Sequence, residues 1–161
     1  MNKSISLVSA VVVVAVIVFA MGGVASAGGT NTLTVNATVL GACHFNTAAS
    51  TLSFTLDPSS GADAVATVVP TFWCTRGTTL TTPVTTDNGL NFLGGSKRMK
   101  STANPTEFIP YTVALTPAST LGAGKSTPIN LTVTGTVLNA NYINALAAND
   151  YTDTVVITIA P

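Results

Sequence analysis

Apolar and polar residues alternate with a period of two along most of the chain beyond residue 30. In a half-buried strand this period puts successive side chains on opposite faces. From Ile129 to Val137, the residues Ile129, Leu131, Val133, Gly135 and Val137 share one face, and Asn130, Thr132, Thr134 and Thr136 share the other. Ile109, Tyr111, Val113 and Leu115 repeat the pattern, and Val155, Ile157 and Ile159 do so opposite Thr152, Thr154 and Thr158. Leu52, Phe54 and Leu56 predict a shorter strand. Val68 to Cys74 predicts another, with Pro70 marking an edge or a bulge because proline cannot donate to a ladder. Asp57-Pro58, Arg76-Gly77, Asp87-Asn88-Gly89, Gly94-Gly95, Asn104-Pro105 and Gly122-Ala123-Gly124 supply the turns between them. Only the asparagine-rich stretch from Asn139 to Ala148 leaves room for a helical turn. Short strands at this spacing predict an all-β, antiparallel sandwich.

The start of the chain breaks the pattern. Lys3 precedes a run from Ile5 to Met21 that is apolar except for two serines, and Ala25-Ser26-Ala27 offers the small residues of a cleavage site. These features predict a signal peptide over 1–27. The apolar run, 17 residues, falls short of the roughly 20 that span a bilayer. No Lys/Arg stop-transfer flank follows it, since the next charged residue after Lys3 is Asp57. Export would place Cys43 and Cys74 in an oxidising compartment, where an even pair predicts a disulfide. Closing that loop stabilises by about 3–4 kcal/mol on the chain-entropy estimate. The rival reading, a Cys43 nucleophile beside His44, has the wrong geometry, because strand neighbours point to opposite faces.

Composition narrows the function classes. Six Lys+Arg balance six Asp+Glu in 161 residues, and charged residues are 7% of the chain, where roughly 25% is usual. The longest basic group is Lys97, Arg98 and Lys100, too small to make nucleic acid the main partner. It gives electrostatic attraction to anionic lipid equally little support. The group reads as a solvated hairpin loop, or more sharply as a contact to an acidic surface or glycan. One histidine and two cysteines leave few parts for a hydrolase triad or zinc site, and no P-loop, metal spacing or nucleophile elbow is present. The sequence therefore predicts a protein that is not an enzyme and needs no cofactor or metal. Asp150 and Asp153 face opposite sides of a strand and make a poor acid–base pair. Trp73 reads as packing beside Cys74 or as an exposed aromatic on the opposite face.

Leu33, Val35, Ala37 and Val39 alternate with Thr34, Asn36 and Thr38 at what would be a free terminus after cleavage. The pattern fits two readings. One is the ordinary first strand of the domain. The other is a strand supplied to a second molecule by β-augmentation, where three branched plugs and an alanine contribute roughly 6–8 kcal/mol before ordering costs.

The order of these pieces resembles the spore coat U domain family, the pilin subunits of archaic chaperone-usher pili. The resemblance rests on the alternating strand into a cysteine (Leu33 to Cys43), Phe72-Trp73-Cys74-Thr75-Arg76-Gly77, Asn88-Gly89-Leu90 with Lys97-Arg98-Met99, and Ile109-Pro110-Tyr111-Thr112-Val113. It also rests on Val133-Thr134-Gly135-Thr136-Val137 and the run from Asp150 to Ile159. It implies an immunoglobulin-like sandwich over 41–161 that lacks its last strand and is completed by a donor strand from a neighbouring subunit. A periplasmic chaperone fills the groove first, and the 28–40 extension of the next subunit replaces it at an outer-membrane usher. Mapped residue by residue, Leu33, Val35, Ala37 and Val39 are donor plugs, Val155, Ile157 and Ile159 line the acceptor groove, and Asp153 holds a structural position. The resemblance implies a shaft or adaptor subunit of a surface pilus serving attachment and biofilm formation, with other pilin subunits as partners and no nucleic acid or small-molecule substrate. The chain departs from the family in ending Ile159-Ala160-Pro161 without a terminal aromatic. The alternatives are a secreted monomeric β-sandwich binding module and a coat-layer protein.

Overall fold

The computed structural model describes residues 28–80, 84–117 and 120–161, so the expected signal peptide over 1–27 lies outside the described residues. The chain divides after Thr38 into two units. In the first, residues 28–38 form no helix or strand and are exposed throughout.

The second unit, Val39–Pro161, is nearly all β. Its strands are β1 (Cys43–Phe45), β2 (Ala64–Val68), β3 (Thr71–Cys74), β4 (Thr85–Thr86), β5 (Lys97–Ser101), β6 (Phe108–Thr116), β7 (Ile129–Asn130) and β8 (Thr132–Val137). A single-turn helix α1 (Asn139–Tyr142) follows, then β9 (Tyr151–Thr152) and β10 (Ile157–Thr158). Every pairing is antiparallel: a five-stranded sheet ordered β2-β8-β6-β5-β9, a three-stranded sheet β1-β3-β7, and the pair β10-β4.

The alternation read from the sequence is the burial alternation of the fold. Ile109 and Tyr111 on β6 are buried, as are Val133, Gly135 and Val137 on β8. Two expected strands are each cut in two by a change of sheet. Val69 and Pro70 separate β2 in the larger sheet from β3 in the smaller, and Leu131 separates β7 from β8 in the same way. The Leu131 N–H donates to the Pro70 carbonyl at 2.9 Å, so both strands cross between sheets at one level. A proline is tolerated there because neither ladder needs its missing N–H.

Two buried clusters form the core. Phe72, Cys74, Leu80, Val84, Leu131 and Val133 make one, and Ile109, Tyr111, Val137 and Tyr142 make the other. Cys43 and Cys74 face each other across β1 and β3 and are joined in the expected disulfide, with their Cα atoms 4.1 Å apart.

The strand expected at Leu52–Leu56 is not formed. Leu52, Phe54 and Leu56 are half-buried and their neighbours exposed, as alternation requires, but no ladder includes them. Side-chain packing replaces the ladder. Gly135 on β8 lacks a Cβ that would sit 2.5 Å from Leu52 Cδ2 and 2.6 Å from Phe54 Cζ. Its bare backbone is the seat for those two side chains. The strand expected from Tyr151 to Ile159 survives only at its ends, as β9 and β10, and residues 153–155 belong to neither ladder.

Candidate functional site

The two segments without ladders flank one apolar cleft. It encloses about 1070 Å³ between residues 47–56 on one side and 151–157 on the other, and its floor is formed by Met99, Ile109, Tyr111, Val113 and Val133 of the five-stranded sheet. Phe54, Leu56 and Val155 pack against the Ile109–Tyr111 cluster from the walls, and Ile157 packs against the Leu131–Val133 cluster. Among the described residues, the backbone of 47–56 forms no hydrogen bond with another segment. The 47–56 wall thus presents backbone N–H and C=O groups without a protein partner beside an apolar floor. Ile109, Tyr111 and Val113 were read from the sequence as core. Ile109 and Tyr111 are buried, and their place under the cleft depends on which distant segments pack over the sheet, which no local pattern records.

Three aspartates position the 151–157 wall. Asp150 accepts from the Ser101 hydroxyl at 2.9 Å and the Thr102 hydroxyl at 2.8 Å, and from the Ala103 N–H. The Ala103 N–H and then these hydroxyls hold its pKa below the ordinary carboxylate value. Asp153 accepts from the Tyr111 hydroxyl at 2.7 Å, the Leu90 N–H at 2.9 Å and Asn91 Nδ2 at 3.3 Å. Burial, reinforced by the hydrogen bond to Asp153 and its charge, pushes the Tyr111 hydroxyl far above its ordinary pKa. Asp87 accepts through one oxygen from the Gly89 and Val156 N–H groups, and its own N–H donates to the Val156 carbonyl at 3.0 Å. Side-chain anchors thus hold this wall where backbone pairing stops. The sequence marks Asp87-Asn88-Gly89 as a turn, but its link to Asp153 and Val156 spans more than 60 positions and is invisible to local reading.

Val155 and Ile157, expected to line a groove, line this cleft. Ile159 lies beyond it and packs against the Phe72–Cys74 cluster instead. Leu33, Val35 and Val39 are 82%, 81% and 81% exposed, and Ala37 is exposed as well. Lys97, Arg98 and Lys100 do not form the solvated hairpin loop expected of them. They lie on β5, half-buried, where pairing with β6 sets Lys100 opposite Phe108. Trp73 is half-exposed on β3, with the His44 ring centroid 5.2 Å away and Lys125 Nζ 5.9 Å above it. Among the described residues no cluster of three or more His, Cys, Asp or Glu is placed to hold a metal ion, and no helix is long and apolar enough to cross a membrane.

The chain finds no match among curated proteins. The family profile described as Spore Coat Protein U domain matches residues 29–158, from the exposed N-terminal extension through the wall of the cleft. On that match, which covers most of its length, the chain belongs to the Spore Coat Protein U domain family.

Proposed function

We propose that the protein is a structural subunit, shaft or adaptor, of a chaperone-usher surface pilus, and that the cleft is the acceptor for a strand donated by the next subunit. The observation that carries this reading is the pairing of an apolar cleft with a wall, 47–56, whose backbone is unpaired. Such a wall is a template for β-augmentation, in which main-chain hydrogen bonds supply affinity and alternate side chains fill subsites. Leu33, Val35, Ala37 and Val39 supply the alternate side chains, and their exposure leaves them available to another molecule. A periplasmic chaperone occupies the cleft before an outer-membrane usher exchanges it for the 28–40 segment of an incoming subunit. Head-to-tail insertion is a heterologous contact that does not close, so it builds a fibre. Strand completion drives the exchange without nucleotide, and the fibre serves attachment and biofilm formation at the cell surface.

The test is to shear the cell surface and compare unheated with boiled material on a denaturing gel, for the parent and for Leu33→Asp with Val35→Asp. A buried strand is released slowly, so the parent gives a detergent-resistant ladder that collapses on boiling. The double variant gives none. A single monomer band from abundant, folded parent under both conditions would refute the reading and favour a secreted monomeric binding module.

A further inference from the structure

Outside the cleft, one surface combines exposed apolar side chains with cations that, among the described residues, no carboxylate neutralises. The loop between β4 and β5 presents Leu90, Phe92 and Leu93, which are 77%, 40% and 63% exposed. The loop is not loose. Its Leu90 N–H is held by Asp153 at 2.9 Å, its Leu93 and Ser96 backbones are bonded to each other, and Arg98 Nε donates to the Asn91 carbonyl at 2.9 Å. That last bond sets the apolar loop beside the cationic face of β5.

On that face the Arg98 guanidinium lies 4.1 Å from the Phe108 ring centroid and Lys100 Nζ lies 5.7 Å from it. One aromatic ring therefore gathers two like charges. Among the described residues, neither forms an ion pair with a carboxylate. Like charges held together without a counter-charge repel, and a phosphate placed between them relieves that repulsion.

We propose that the 90–93 loop together with Arg98 and Lys100 docks on an anionic phospholipid surface, the apolar side chains entering the acyl boundary and the cations meeting the phosphates. This combination is what interfacial binding requires: apolar burial plus attraction to anionic headgroups. The neutral composition of the chain argues against attraction by charge alone. The fold changes that conclusion by placing three exposed apolar residues next to the cations. A second copy of the chain is a poorer occupant, because five of the six acids already accept hydrogen bonds internally. Asp57 binds Ser59, Asp63 binds the Asn139 N–H, and Asp87, Asp150 and Asp153 hold the cleft wall. Among the described residues, only the Glu107 carboxylate accepts no hydrogen bond.

The test is sedimentation of the purified exported chain, beginning at residue 28, with vesicles of phosphatidylcholine alone, or of phosphatidylcholine with one-third phosphatidylglycerol. Three proteins are compared: the parent, Arg98→Gln with Lys100→Gln, and Leu90→Ser with Leu93→Ser. The leucines are exposed, so the second pair keeps the fold, which thermal melting confirms. The parent binds the phosphatidylglycerol vesicles, and binding falls as salt rises. Removing both cations lowers partitioning about 25-fold, since each contributes about fivefold at such a surface. Removing the leucines lowers it tenfold or more. Binding by parent and both variants alike would place the lipid elsewhere, the open cleft included, and overturn the proposal. Failure of the parent to sediment with anionic vesicles at low salt also overturns it. So does binding of free phosphate or an acidic polysaccharide without vesicle binding, or loop-dependent self-association without it.

Discussion

Replacing Gly89 by alanine tests whether the Asp153 carboxylate fixes the 89–91 loop to the wall of the cleft. Gly89 adopts φ +76°, a left-handed backbone that costs a residue with a Cβ roughly 1–2 kcal/mol. The new Cβ also overlaps the Asp153 carboxylate, whose Cγ would be 3.2 Å away. That carboxylate cannot step aside freely, because Tyr111, Leu90 and Asn91 all donate to it. A hydrogen bond to a charged acceptor contributes about 1.5–3 kcal/mol, so weakening even one adds to the backbone strain. Against this, alanine lowers the entropy of the unfolded chain, a gain of about 0.4–1 kcal/mol. Strain and lost bonding outweigh the gain, and the net loss is about 2–3 kcal/mol. Urea unfolding followed by the fluorescence of Trp73, the only tryptophan, reads this as a midpoint lower by about 1–2 M. In combination with Asp153→Asn, the two losses are less than additive, because both act on the same contacts. A midpoint for Gly89→Ala equal to the parent's, or strict additivity of the pair, refutes the anchoring role.

Two further outcomes follow from the same structure. Replacing Cys43 and Cys74 together by serine opens a bridge of sequence separation 31 and lowers stability by about 2–4 kcal/mol in the same urea assay; an unchanged midpoint counts against the bridge as a stabilising element. Melting temperature against pH falls at both extremes. The depressed pKa of Asp150 contributes stability above the unfolded value of about 3.9 that is lost as acid protonates it. The raised pKa of Tyr111 contributes stability below about pH 10 that is lost as alkali ionises it. Asp150→Asn flattens the acid side and Tyr111→Phe the alkaline side, and profiles parallel to the parent's at both ends would contradict these assignments.

The fold class was legible because its cause is local. Strand alternation, glycine and asparagine turns, and an even cysteine pair are written within a few residues of one another, and the structure reproduces them as buried Ile109, Tyr111, Val133 and Val137 and as the Cys43–Cys74 bridge. Leu52, Phe54 and Leu56 show where local reading stops. Their alternation predicts a strand correctly as far as faces go, yet a strand also needs a hydrogen-bonded neighbour, and that depends on segments far away in the chain.

The sequence by itself determined which side chains point inward and where the chain turns, because residue type and φ/ψ preference act at short range. Tertiary structure alone decided which alternating segments find partners. Residues 47–56 and 153–155 find none in a ladder, and the buried Ile109 and Tyr111 with Val113 line the cleft between them. It also decided that Arg98, Lys100 and Phe108 meet on one face beside an apolar loop. Both outcomes depend on the register between β5 and β6 and on aspartate contacts spanning more than 40 positions. Register and long-range contacts emerge only when the whole chain packs at once.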